Sequence, residues 1–135
     1  MIQEFIVVAI LLGVFDYLWL NYFFVNMWST MIHTIQSSPL ELKTNYIIPA
    51  YILMTLSIVI YVLPKINKQT IVKDSILYGG LMGLIIYGIF DLTNLIVFKH
   101  YSISVAVIDI SWGTFLFSVT TIISKIILNY MEVVL

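Results

Sequence analysis

Residues Ser75 to Phe98 read SILYGGLMGLIIYGIFDLTNLIVF. As a helix rising 1.5 Å per residue, this stretch spans a hydrocarbon core of roughly 30 Å. Its single charged residue, Asp91, lies well inside it. At 100° per residue, Gly80, Gly83, Tyr87, Asp91 and Asn94 fall within an arc of roughly 80°. The opposite side is Leu, Ile and Phe. The stretch therefore predicts a membrane-spanning helix with a lipid face and a narrow face of glycine and polar residues.

The same pattern recurs along the chain. Apolar spans are predicted at about Glu4–Val25, Tyr46–Leu63, Ser75–Phe98 and Ile103–Leu128. Of 135 residues, 61% are hydrophobic and 10% charged. A soluble domain carries about 25% charged residues, so the polar surface here is too small for a water-facing globule. The expected fold is an all-α integral membrane protein, one multi-pass domain over residues 1–135, built as a four-transmembrane-helix bundle. The lipid bilayer is its solvent and first partner, and which membrane holds it is not written in the sequence. The N-terminal apolar run has no basic segment before it and no small-residue cleavage site, so it reads as a retained span.

Lys65, Lys68, Lys73 and Lys125 fall at one end of the spans, Lys43 and Lys99 at the other. By the positive-inside rule both termini are cytoplasmic. The first connection, Asn26 to Asn45, is the longest. Within it Ser38-Pro39-Leu40-Glu41 has the spacing of a capping box, which would start span two near Pro39. Pro49 is expected to kink that span by freeing the carbonyl of Asn45. Pro64 ends it, and Asp74-Ser75 reads as the N-cap of span three.

Asp16, Asp91 and Asp109 are the residues that need an explanation. A charge at the bilayer centre costs roughly 2.5–3.5 kcal/mol on insertion scales. Each aspartate has a partner three residues on, namely Trp19, Asn94 and Trp112. On span one, Gly13, Asp16, Trp19, Leu20 and Phe23 share a face. On span four, Asp109, Trp112, Gly113, Leu116, Thr120 and Ser124 do. All three carboxyls fall in the outer half of the bilayer. They are expected to converge on one polar pocket, with Asp91 and Asp109 as a pair and Asp16 as third member. Tyr87, Asn94, Trp19 and Trp112 would orient or stack. Lys99 is the nearest counter-ion in sequence, and His33 and His100 lie in connections outside the apolar core. Gly79 and Gly83 form a G-x-x-x-G that admits close helix packing, here or at the seam of a homodimer.

Such a pocket suits a proton, a small cation or an amine. A buried carboxylate can exchange a proton for substrate, carboxylate and amide oxygens suit a hard cation, and Trp and Tyr faces attract an amine. The leading expectation is a small transporter or channel-like protein binding one of these at a site open toward the outer side. A lipid-active enzyme using paired carboxylates, or a structural or assembly protein of a membrane, are the alternatives. No nucleophile elbow, zinc-helix motif or P-loop is present. No catalytic residue, resident metal or cofactor is assigned. The absence of cysteine removes thiol chemistry, and six basic residues are too few for nucleic-acid binding. Tyr46, Tyr51, Tyr61, Trp28 and Tyr130 suit interface belts.

Several motifs occur together and in order: Asp16-Tyr17-Leu18-Trp19-Leu20, Ile48-Pro49-Ala50, Gly83-Leu84 followed by Tyr87-Gly88 and Asp91-Leu92-Thr93-Asn94-Leu95, then Asp109 with Trp112-Gly113-Thr114. Over nearly its whole length the chain resembles the domain-of-unknown-function family 2177, small multi-pass membrane proteins. The resemblance marks Asp16, Trp19, Asp91, Asn94, Asp109, Trp112 and Gly113, and implies the same span count. It brings no activity. Family members often have Trp-Pro in the third connection, where this chain has Tyr101-Ser102.

Overall fold

Four long helices, antiparallel in sequence order, make up the protein in the computed structural model, which describes residues 1–134. Helix α1 runs Ile2–Gln36, α2 Thr44–Lys65, α3 Ile71–Val97 and α4 Ile103–Val134. All four are long and apolar enough to cross a membrane, and no strand occurs among the described residues. An even number of spans puts both ends of the bundle's chain path on one side. Lys68 Nζ lies 2.6 Å from Glu132 Oε2, so the second connection and the end of α4 share that side. In this cysteine-free chain the arrangement is open to labelling. Lys68→Cys and Glu132→Cys should react with an impermeant maleimide from one face of the bilayer, and Glu41→Cys and Lys99→Cys from the other. Labelling of positions 41 and 68 from the same face would contradict the fold.

Helix α1 is longer than the apolar run that predicts it. Residues 26–36, read from the sequence as part of a connection, continue the helix. They contain no glycine or proline, and their hydroxyls fold back on their own backbone: Thr30 Oγ1 donates to Asn26 O at 2.8 Å and Thr34 Oγ1 to Thr30 O at 3.0 Å. Their apolar side has a tertiary partner. Met31 is buried, and its sulfur accepts from the Ser102 backbone N–H at 3.2 Å. Ser37 ends the helix in the left-handed region at φ 56°, donating its N–H to His33 O. That end leaves no capping box at Ser38-Pro39-Leu40-Glu41. Residues 37–43 are not helical, and Gln36 Nε2 donates to the carbonyls of Ser38 and Pro39 instead.

The expected cap of α3 moves as well. The helix begins at Ile71, a turn before Asp74-Ser75, and the Asp74 carboxylate reaches back to accept from Thr70 Oγ1 and the Asn67 N–H. Pro49 falls in the first turn of the regular α-helix Ile47–Leu56. The first N–H groups of a helix have no partner there to lose, so proline is tolerated without a break.

Three single turns of π-helix occur instead, at Leu20–Phe24, Ser57–Val62 and Ser75–Gly79. Each widens the turn and shifts every later side chain around the axis. This corrects the face expected for α1. Phe23 is 72% exposed and Leu20 is exposed, whereas Phe24, one residue on, is 2% exposed. The π-turn moves Phe24 into the inward position that a uniform 100° step gives to Phe23.

Glycine decides how α3 meets α4. A Cβ on Gly79 would fall 2.7 Å from Thr121 Oγ1 and 2.9 Å from Phe117 O, and one on Gly83 would strike the Gly113 carbonyl. The G-x-x-x-G is thus filled by the chain's own fourth helix and is not free to seam two copies together. Two apolar clusters stabilise the bundle. One joins Val8 and Leu12 of α1 to Ile58 and Val62 of α2 and to Leu116 and Phe117 of α4. The other joins Phe24 and Met31 to Tyr101, Val105 and Ala106. Along both α1 and α4, the aspartates lie between them.

Candidate functional site

Asp16, Asp91 and Asp109 are 6%, 0% and 7% exposed, all inside the bundle. The small residues beside them explain why they are admitted. Gly113 takes the Tyr87 ring directly against its backbone, and Gly83 brings α3 onto α4, so Asp91 and Asp109 are carried to one level on neighbouring helices. The two carboxyls are buried neighbours on facing helices. Tyr87, edge-on to Phe117, packs against Gly113, one turn along α3 from Asp91.

The polar partners are neutral donors. Tyr101 Oη donates to Asp91 Oδ1 at 2.7 Å. Asp91 Oδ2 has no donor although it is wholly buried. Asp16 accepts on both oxygens, from the Tyr51 hydroxyl on Oδ2 and from Trp112 Nε1 on Oδ1 at 2.8 Å. Lys99 is not the counter-ion. It is exposed, and neither of the ion pairs among the described residues, Met1–Glu4 and Lys68–Glu132, involves an intramembrane aspartate.

The aromatic side chains expected to receive an amine are engaged with one another. Trp19 and Trp112 stack at 4.5 Å with their planes 7° apart, Phe115 tilts against Trp112, and Phe23 and Phe24 lie on Trp19. Trp19 Nε1 is buried without an acceptor. Among the described residues, no three His, Asp or Glu side chains are placed together to hold a metal ion.

Tyr51 and Tyr101 are the participants that sequence reasoning missed. Tyr51 carries no local signal: its partner is 35 residues away on another helix. Tyr101 had one, an aromatic with a polar tip in the short connection after the helix that carries Asp91. Trp28, expected at an interface, packs inward against Phe90 at 6.1 Å and edge-on to Tyr101 at 6.2 Å. Tyr46, Tyr61 and Tyr130 are exposed on the bundle surface.

The cluster is closed at the end that carries residues 98–102. Tyr101, itself buried, covers Asp91 and is held by Trp28 and its neighbours. The site is therefore not an open outward-facing pocket, because the aromatic extension of α1 fills the space above the carboxyls. Open grooves of about 520 and 430 Å³ flank that extension. His100, Ser102, Met31 and Thr30 help to line the first, and His33, Thr34 and Pro39 the second.

No curated protein and no solved structure matches the chain. A family model does, over residues 1–126, and its description is "Predicted membrane protein (DUF2177)". The matched residues include all four spans through Lys125, the three aspartates and their partners Trp19, Asn94 and Trp112. With four membrane-length helices and these motifs in place, the chain belongs to domain-of-unknown-function family 2177, a family of predicted membrane proteins.

Proposed function

We propose that this protein is a small membrane transporter whose Asp91–Asp109 pair binds and releases a proton inside the bilayer. One observation carries the reading. Two buried carboxyls are neighbours on closely packed helices, and Asp91 Oδ2 has no hydrogen-bond donor. Like charges brought together in an apolar interior repel strongly, so on this reading the pair shares a proton. A chain pays heavily for intramembrane carboxyls, and they mark proton and ion routes in membrane proteins.

A proton fits better than the other two ligands considered. A hard cation takes six or more oxygen ligands, and the groups here are a carboxyl pair with neutral donors. An amine would use aromatic faces, and those of Trp19 and Trp112 are spent on each other. With the positive-inside orientation, Tyr101 stands on the outer side of the pair and the groove lined by His100 and Ser102 lies beyond it.

The test is proton uptake into proteoliposomes containing a pH-sensitive dye, driven by a potassium diffusion potential. Asp91→Asn and Asp109→Asn keep the shape and remove the exchangeable carboxyl, so uptake should fall about a hundredfold or more, the lower end of losses at general acid–base groups. Unchanged uptake in both variants, or none in the parent, removes the reading. Uptake retained with a lower melting temperature would assign the carboxyls to holding the helices together.

A further inference from the structure

Among the described residues, four buried hydroxyls outside the aspartate cluster have no hydrogen-bond partner: Thr55 on α2, Ser75 on α3, and Thr120 and Ser124 on α4. All are wholly buried or nearly so. Their neighbours on α4 behave differently. Thr114, Ser118 and Thr121 each donate to the carbonyl four residues back, at 2.9, 2.8 and 2.7 Å. That closure is the ordinary way a helical hydroxyl is satisfied in an apolar setting. Thr120 and Ser124 point their oxygens elsewhere.

The helix register orders these groups. Asp16 joins Tyr51 to Trp112, which makes those two level. Thr55 is one turn beyond Tyr51. Because α2 and α4 run in the same direction, Thr55 is level with Leu116, and Thr120 is one turn further. Gly83 meets Gly113 and Gly79 meets Phe117 and Thr121, which brings Ser75 to the level of Thr121 and Ser124. The result is about one unpartnered hydroxyl per turn from the level of Asp16 to that of Ser124, with Ile66, Ile71 and Leu128 between Ser124 and the end of the bundle at residues 66–70. A turn rises roughly 5.4 Å, close to the roughly 5.6 Å spanned by two O–H···O bonds through one water. Buried polar groups without protein partners are the usual hosts of internal water.

We propose that Thr55, Thr120, Ser75 and Ser124 hold a file of internal water molecules running from the aspartate cluster toward the 66–70 end, as far as Ser124. This file is the route by which a proton leaves the Asp91–Asp109 pair. The second statement rests on the transport reading above; the first does not.

Water-edited solid-state NMR on Ser/Thr-labelled protein in bilayers tests the file directly. Signals of the four hydroxyl residues should draw magnetisation from water several-fold faster than Ser111, which is exposed on the bundle surface and closed onto Val107 O. Transfer no faster than at Ser111 overturns the file. Thr120→Val then tests the route, since it keeps the shape and removes the hydroxyl. Proton uptake should fall several-fold, with Ser111→Ala matching the parent. Uptake unchanged in Thr120→Val, with rapid water transfer, overturns the route and leaves the file. Rapid transfer in a parent that moves no protons supports the file, overturns the route and defeats the transport reading.

Discussion

Gly83→Leu is expected to yield no folded bundle, and Gly83→Ala to lose about 1–3 kcal/mol or more, the cost of forcing carbon into a packed contact. Even a methyl group at position 83 would meet the Gly113 carbonyl and Phe117 Cβ, and neither is the free end of a flexible chain. Backbone would have to move, and α3 would part from α4. That separation also pulls Asp91 from Asp109, so the variant should lose the carboxyl pairing along with stability. Gly13 and Gly88 are the controls, because a Cβ at either meets nothing within 4 Å. There alanine should be neutral or stabilising, by up to about 1 kcal/mol from helix propensity. Denaturation in mixed micelles compares the three. Equal losses at positions 13, 83 and 88 would mean that glycine acts through the helix alone and not through the α3–α4 contact.

This contrast between glycines shows what was legible in the sequence. The spans are legible because lipid demands long apolar runs, and the inward faces of α3 and α4 because glycine and polar residues recur there at helical spacing. Asp91, Asp109, Trp112 and Gly113 could all be placed on those faces without coordinates. What G-x-x-x-G could not say is whose helix fills it, since a second copy and the fourth helix offer the same smoothness. The face of α1 failed beyond Trp19 because a π-turn is a local change of period, and periodicity reasoning assumes there is none. The helix over residues 26–36 was missed for another reason. Asn26, Ser29, Thr30 and His33 look like loop composition, and the packing of Met31 and Trp28 that keeps them helical comes from the far connection. Tyr51 was placed at an interface by type. Only the approach of two helices reveals that its hydroxyl is spent on Asp16.

Asp16 provides the second large effect. Its two oxygens take two donors from two other helices, which makes it the polar joint between α1, α2 and α4. Asp16→Leu should therefore cost roughly 2–6 kcal/mol, because it strands the Tyr51 hydroxyl and the Trp112 N–H at roughly 1–3 kcal/mol each. Asp16→Asn keeps one acceptor oxygen and should lose less. The pairwise terms come from double-mutant cycles with Tyr51→Phe and Trp112→Phe. Coupling energies near 0.6 kcal/mol would place these bonds with ordinary interhelical contacts in membranes. About 1–1.5 kcal/mol, the upper part of the usual range for an intramolecular hydrogen bond, is the value expected here, since each oxygen of Asp16 takes its own donor. The stacked Trp19–Trp112 pair supplies a readout that stability does not. Asp16→Asn should alter the near-ultraviolet circular dichroism if Asp16 holds the Trp112 ring in register with Trp19. An unchanged spectrum in a folded Asp16→Leu variant would show that stacking fixes the indole by itself. The stability loss would then reflect stranded donors and not a displaced ring.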